Sequence, residues 1–140
     1  MATSIAPHML APQLLAYIGD GVFESHVRIL LLPVWPRIET LHRQTVSRVR
    51  AERQAELLTI IQPHLTDDEA DIVRRGRNAK TSAKRKDLFD YRYATAFEAL
   101  IGYLHLDGQL DRLAELWVIL DPHLLAIEPH IRPTDMVKKP

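Results

Sequence analysis

The chain has 140 residues, of which 46% are hydrophobic and 26% are charged, a balance typical of a globular domain that buries a core without covalent cross-links. It contains no cysteine, which excludes disulfide scaffolds, thiolate zinc sites, iron–sulfur clusters and cysteine nucleophiles. Lys and Arg together number 18, as do Asp and Glu, so evidence for a nucleic-acid partner must come from the distribution of charge.

The hydropathy pattern predicts a soluble protein. No run approaches the roughly 18 consecutive apolar residues of a membrane helix, and the first residues lack the basic start and apolar stretch of a signal peptide. We therefore expect one cytoplasmic domain over residues 1–140, with a core at about 11–120 and no membrane partner. Four prolines predict an irregular tail over about 121–140.

Helical periodicity dominates the first half of the chain. Pro12 suits the first turn of a helix that Pro33 ends, and Gly19 and Gly21 inside it each cost about 1 kcal/mol relative to Ala. Its apolar face is formed by Leu14, Leu15, Ile18 and Val22. Residues 38–61 are again predicted to be helical, as two helices with no boundary signal between them.

The second half adds three further helices. Thr66 and Glu69 form a capping box that opens a short helix, and Gly76 is expected to end it. Residues 77–86 lack apolar periodicity and predict a loop. A strong apolar stripe then consists of Phe89, Tyr93, Phe97, Leu100, Ile101 and Leu104. Gly108 marks a turn before the last amphipathic helix, and no segment shows strand alternation, so the predicted fold class is all-α.

A dense cationic segment follows the capping-box helix. Its cations, with no acid among them, are Arg74, Arg75, Arg77, Lys80, Lys84, Arg85 and Lys86. Such a segment favours binding to a phosphate backbone, because neutralising phosphates releases counterions. The alternative is a solvated loop that only keeps the protein soluble.

Two acids occupy helical stretches where a carboxylate is costly. Glu98 lies between Phe97 and Ala99, and Asp20 lies between two glycines. A buried carboxylate must be paired, hydrogen-bonded or metal-bound, and two carboxylates on different helices, with water in the remaining positions, suit Mg²⁺. The alternatives are an ion pair of Glu98 with an arginine such as Arg92, and a hydrogen-bonded turn or kink at Asp20.

Three ordered blocks resemble the ribonuclease III family. LAYIGDGVFE (residues 15–24) resembles its signature, ATAFEALIGYLHLDG (residues 94–108) its second acidic motif, and RRGRNAK (residues 74–80) a block of its short bacterial branch, Mini-ribonuclease III. That branch consists of the catalytic domain without a double-stranded RNA-binding domain. The order and spacing agree over roughly residues 11–120.

The resemblance implies an all-α, homodimeric endonuclease domain that cleaves double-stranded RNA between its subunits. Asp20 and Glu98 match the catalytic acids and would bind Mg²⁺, for which Mn²⁺ is a possible substitute, and Tyr17 matches an aromatic position at the dimer interface. The residues that would contact RNA are Arg74, Arg75, Arg77, Asn78, Lys80, Lys84, Arg85 and Lys86. The implied role is maturation of the large-subunit (23S) ribosomal RNA precursor, with a ribosomal protein as a possible helper and 5′-phosphate products.

The chain departs from classical ribonuclease III at three acidic positions. It has Ala16 and Gln13 one and two turns before the first acid, and Thr95 three residues before the second. Mini-ribonuclease III, the short bacterial branch, resembles this chain in having fewer acids at these positions. A non-catalytic helical RNA-binding dimer and a helical protein–protein adaptor remain alternatives to the enzyme.

Overall fold

The computed structural model describes residues 5–81 and 87–126. These ranges contain no β-strand, which confirms the all-α prediction. None of their helices is both long enough and apolar enough to cross a membrane. The helices are α1 (Pro12–Leu31), α2 (Ile38–Val49), α3 (Ala51–Ile61), α4 (Asp67–Arg77), α5 (Leu88–Leu106) and α6 (Leu110–Leu125), with short 3₁₀ helices at Pro7–Met9 and Gln62–His64.

The helices up to the start of α4 follow the sequence predictions closely. Pro12 lies in the first turn of α1, and the two helices predicted over 38–61 are separated by Arg50 in an extended conformation. The capping box is present, with the Thr66 hydroxyl accepting from the Glu69 N–H at 3.2 Å and Glu69 Oε1 accepting from the Thr66 N–H at 3.0 Å.

Helices α1 and α5 cross with their backbones in contact. A Cβ added to Gly19 would overlap the carbonyl oxygen of Glu98, and one added to Gly102 would overlap that of Leu15. Only glycine allows this approach, so Gly19 is explained by packing. Gly21, by contrast, faces open space, because an added Cβ would meet no side chain and no other helix of the described residues within 4 Å.

The prediction that Gly76 ends α4 is wrong. The helix continues to Arg77, and Gly76 is buried where α4 meets α5. A Cβ on this glycine would lie 2.6 Å from the Cα of Ala96. Gly76 therefore serves close helix packing rather than a left-handed stop.

The apolar core surrounds α5. Phe23 of α1 meets Phe97 of α5 edge to face, with ring centroids 5.0 Å apart. The same core includes Leu57, Leu58, Ile61, Ile72, Val73, Leu100, Leu104, Leu116 and Leu120. Because α5 is covered on most sides, its polar side chains stand out as candidates for function.

The last helix extends beyond the predicted start of the irregular tail. It runs through Pro122 to Leu125, four residues past Asp121. Fully buried Arg48 donates from Nε to the Leu124 carbonyl and from Nη2 to the Ala126 carbonyl, the latter at 3.1 Å. Arg53 donates to the carbonyl of His123. These arginines satisfy the carbonyls that a helix end leaves open, so α6 is held to its last turn by tertiary contacts.

Candidate active site

The two acids singled out in the sequence meet at the crossing of α1 and α5. Gly19 places the backbone of α1 directly on that of α5 at Glu98, and Asp20 is the next residue. The two side chains are close enough that Glu98, when protonated, donates a hydrogen bond to the Asp20 carboxylate. The close helix packing thus brings two carboxyl groups from different helices together.

The surroundings of the two acids differ. Glu98 is partly buried, and burial raises its pKa to about 8, with further contributions from the hydrogen bond to Asp20 and from the negative charge of Asp20. Asp20 is exposed, so the expectation of an apolar environment holds for Glu98 and is wrong for Asp20. No arginine of the described residues pairs with Glu98, and the ion pair with Arg92 is therefore not formed.

Gln54 is the polar neighbour of Glu98 that sequence reasoning missed. It is only 3% exposed, and its Nε2 donates to Glu98 Oε2 at 3.3 Å and to the Val49 carbonyl at 2.7 Å. A signal was present, since Gln54 shares the apolar face of α3 with Leu57, Leu58 and Ile61. A polar side chain on such a face needs a partner, but one sequence does not show which.

The acid pair fits a divalent cation. Oxygen ligands are those that Mg²⁺ prefers, and it is often held by one or two carboxylates, with water and substrate phosphates completing its shell. A cation between Asp20 and Glu98 would favour the ionised form of Glu98, which burial and the negative charge of Asp20 otherwise disfavour. Over 5–81 and 87–126, no group of three or more His, Asp or Glu could hold a metal ion. Asp20 and Glu98 are the two carboxylates that this crossing brings together.

A groove of about 330 Å³ opens beside Asp20. It is lined by Asp20, Gly21, Glu24, Ser25 and Arg28. Because Gly21 presents no side chain and has open space above it, a bulky polymer can approach the acid closely here. Glu24 and Arg28 form an ion pair on the next turns of α1.

The arginines of the cationic segment differ in the contacts that they make within the fold. Arg75 donates to the carbonyls of His8 and Leu10, both at 2.9 Å, and so ties the chain before α1 to α4. Arg74 pairs with Asp71 one turn earlier. The guanidinium of Arg77 lies 5.8 Å from the centre of the Tyr93 ring. Several of these cations therefore already have partners within the fold.

The described end of this segment lies near the acid pair. Asn78 caps α4, and Gln13 donates from Nε2 to the carbonyl of exposed Lys80 at 3.5 Å. Gln13 and Asp20 are seven residues apart on one face of α1, a separation of about 10 Å along the helix. Lys84, Arg85 and Lys86 lie outside the described residues.

Tyr17 belongs to an exposed apolar patch on α1. Its side chain is 78% exposed, and it lies on the turn of α1 that precedes Asp20. A shallow pocket of about 240 Å³ beside it is lined by Ile5, Pro7, Leu10, Leu14, Tyr17, Ile18 and Leu106. Contiguous exposed apolar surface of this kind is typical of an interaction site.

Comparison with known proteins shows the family of the chain. A crystal structure of a protein from Fusobacterium nucleatum superposes with a TM-score of 0.75 at 26% identity, covering 84% of this chain and 96% of that one. Mini-ribonuclease 3 of Gloeobacter violaceus is 50% identical over 113 residues, which is 80% of this chain and 83% of the relative. Mini-ribonuclease 3 of Thermosynechococcus vestitus is 43% identical over 122 residues, or 86% and 80% of the two chains. The Ribonuclease III domain matches residues 13–109, and the chain belongs to the ribonuclease III family.

Proposed function

We propose that this chain is a Mg²⁺-dependent endoribonuclease that cleaves double-stranded RNA. The observation that carries the proposal is the meeting of the Asp20 and Glu98 carboxyl groups at the glycine-packed crossing of α1 and α5. The family match and the relatives named Mini-ribonuclease 3 support a ribonuclease.

Asp20 and Glu98 act as metal ligands in this proposal. When bound, Mg²⁺ supplies activation of the attacking water and neutralises charge on the phosphoryl and leaving 3′ oxygens. Asp20, which is exposed and lines the groove, and Glu98, which is partly buried, would be the two carboxylates that hold the cation. The products carry a 5′-phosphate and a 3′-hydroxyl, and Mn²⁺ can replace Mg²⁺ because it takes the same oxygen ligands.

The groove and the nearby cations suit an RNA duplex that is recognised through its sugar–phosphate backbone. Side chains cannot read the deep, narrow major groove of A-form RNA, so recognition depends on shape, phosphates and 2′-hydroxyls. Arg77 and Lys80 provide positive charge at and just beyond the end of α4, and the Lys80 backbone meets α1 about two helical turns from Asp20. Binding that depends on such contacts weakens steeply as salt rises.

The apolar patch around Tyr17 supports a homodimer. Its position beside Asp20 would place two acid pairs near one interface, one for each strand of a duplex. We extend the proposal to the large-subunit ribosomal RNA precursor as natural substrate, with a ribosomal protein as a possible helper, on the basis of the resemblance to the short bacterial branch.

The experiment is cleavage of a perfect RNA duplex, labelled on both strands, at low salt. We expect cuts on both strands with Mg²⁺ and none with EDTA. Asp20→Asn and Glu98→Gln should abolish cleavage and retain duplex binding, because each change removes a ligand charge with little change in shape. Glu56→Gln, which alters an exposed carboxylate paired with Arg53 on α3, is the matched control and should cleave normally.

Two results would count against the proposal. Cleavage by Asp20→Asn at the normal rate would show that the site is elsewhere. Binding of the duplex by the unaltered protein without any cut in Mg²⁺ or Mn²⁺ would favour the non-catalytic RNA-binding dimer.

A further inference from the structure

Gln54 is the only side chain outside the acid pair that hydrogen-bonds Glu98 within the described residues. It projects from α3, a helix that carries neither acid, and it is 3% exposed. The side chain therefore reaches Glu98 from the buried interior, and Gln54 is not among the residues that line the groove beside Asp20.

The orientation of the Gln54 amide is fixed by two acceptors. The Val49 carbonyl can only accept a hydrogen bond, so the amide must turn its NH₂ group toward it, at 2.7 Å. The same NH₂ group lies 3.3 Å from Glu98 Oε2. Gln54 Oε1 is buried without a hydrogen-bond partner among the described residues, which shows that its donors and not its oxygen determine this arrangement.

We propose that Gln54 is a positioning residue that orients the Glu98 carboxylate for a divalent cation, an inference that rests on the proposed function. Carboxylates that bind metals are themselves held by an outer layer of hydrogen bonds, which fixes their rotation. A donor on Oε2 occupies one lone pair of Glu98 and leaves the others free for a ligand.

The neutral charge of Gln54 is what suits it to this task. An arginine or lysine at the same distance would also orient Glu98, but its positive charge would compete with the cation. An amide donates the hydrogen bond without adding charge. This distinguishes Gln54 from Arg48 of α2 and Arg53 of α3, which donate to carbonyls at the end of α6 instead.

A purely structural role makes a different prediction. The bond from Gln54 to Val49 satisfies a carbonyl at the C-terminus of α2, so losing it lowers stability whether or not Glu98 matters. Stability alone therefore does not test the proposal. The affinity of the protein for a metal ion in the absence of RNA tests the proposal, because a purely structural role of Gln54 would leave that affinity unchanged.

The experiment is Mn²⁺ binding to RNA-free protein, measured by isothermal titration calorimetry, with Mn²⁺ as the probe. Gln54→Met keeps the length of the side chain and removes its donors, and we expect Mn²⁺ affinity to fall about 10–100-fold. Gln44→Met is the matched control. Gln44 is also 3% exposed and hydrogen-bonded, but its Oε1 accepts from Arg48 at 2.8 Å, so this variant should lose stability and keep its Mn²⁺ affinity.

A second variant decides the matter if Gln54→Met does not fold. Gln54→Asn keeps an amide but is one methylene shorter, which draws the donor back from Glu98, and its Mn²⁺ affinity should also fall. Unchanged affinity in a folded Gln54 variant would overturn this inference and leave the proposed function intact. Absence of Mn²⁺ binding by the unaltered protein would overturn both.

Discussion

Glu69 combines two interactions at the start of α4. It completes the capping box with Thr66, and its carboxylate accepts from Arg112 Nε at 2.8 Å and from Arg112 Nη2 at 2.9 Å. Burial by itself would raise the pKa of Glu69, but the hydrogen bonds from Arg112 and Thr66 outweigh it and hold the pKa below 4.5. The ionised form is therefore the one that stabilises the fold.

This lowered pKa predicts a loss of stability in acid. Because the pKa is lower in the folded chain than in the unfolded one, the contribution of Glu69 is complete above about pH 4.5 and disappears as the pH falls through the folded value. Glu69→Gln should lower the free energy of unfolding by about 2 kcal/mol at neutral pH. The difference from the unaltered protein should shrink as the pH falls through the lowered pKa of Glu69, as measured by urea denaturation.

Glu115→Gln is the control for that experiment. Glu115 pairs with the same Arg112, but its side chain is 66% exposed, and its loss should cost less than about 1 kcal/mol. A pH-independent effect of Glu69→Gln would contradict the lowered pKa of Glu69.

The capping box could be predicted from the sequence because Thr66 and Glu69 are three residues apart. The ion pair could not, because Arg112 is 43 positions away along the chain.

At the scale of elements, the crossing of α1 and α5 depends on where glycines lie. Gly19 and Gly102 sit in direct backbone contact, whereas Gly21, two residues away, touches nothing. The spacing of apolar residues predicted both helices, because it shows which face of each helix is apolar. It did not predict which helix faces which, because that depends on contacts between distant segments.

The two glycines of α1 should therefore respond oppositely to alanine. Gly19→Ala forces α1 and α5 apart, and we expect it to cost about 3 kcal/mol. Gly21→Ala adds a methyl group in open space to an exposed helix and should stabilise the protein by about 1 kcal/mol. Thermal unfolding followed by circular dichroism tests both, and equal effects of the two variants would show that the crossing is looser than described.

Arg75 and Lys80 differ in a way that the sequence of the cationic segment does not predict. Sequence treats them alike, but Arg75 is held by two carbonyls while Lys80 has an exposed side chain. Lys80→Ala should lower duplex affinity and reduce the slope of log affinity against log salt by about 1. Arg75→Ala should instead lower the melting temperature.

Fluorescence anisotropy at several salt concentrations measures the affinity for duplex RNA and its salt dependence. Circular dichroism measures the melting temperature. A normal melting temperature for Arg75→Ala would show that its bonds to His8 and Leu10 contribute little. An unaltered salt slope for Lys80→Ala would remove this residue from the RNA-binding surface.

At the scale of the whole molecule, α1 carries three surfaces within a few turns. Gln13 meets the cationic segment, Tyr17 marks the apolar patch, and Asp20 opens the groove. The sequence motifs predicted the acid pair, because both blocks resemble those of one family. The homodimer stays a prediction, since a single chain shows the patch and not what covers it.

Tyr17→Glu tests the assembly directly. A charge in the middle of the apolar patch should weaken self-association by at least about tenfold, because the carboxylate would be buried without a partner. Sedimentation velocity over a range of protein concentrations measures the shift toward monomer. Val118→Glu is the control, since Val118 is 74% exposed on α6, and it should associate normally. Identical behaviour of the two variants would exclude Tyr17 from an interface.

The arginine contacts at the end of α6 define how short the chain can be made. Cutting at Leu120, near the end of the predicted core, would remove the carbonyls that Arg48 and Arg53 bind and leave a buried guanidinium without those acceptors. Cutting after Ala126 keeps every one of these contacts. Any shortened version of this protein must therefore retain Ala126, and a purification tag or fusion partner belongs beyond that residue.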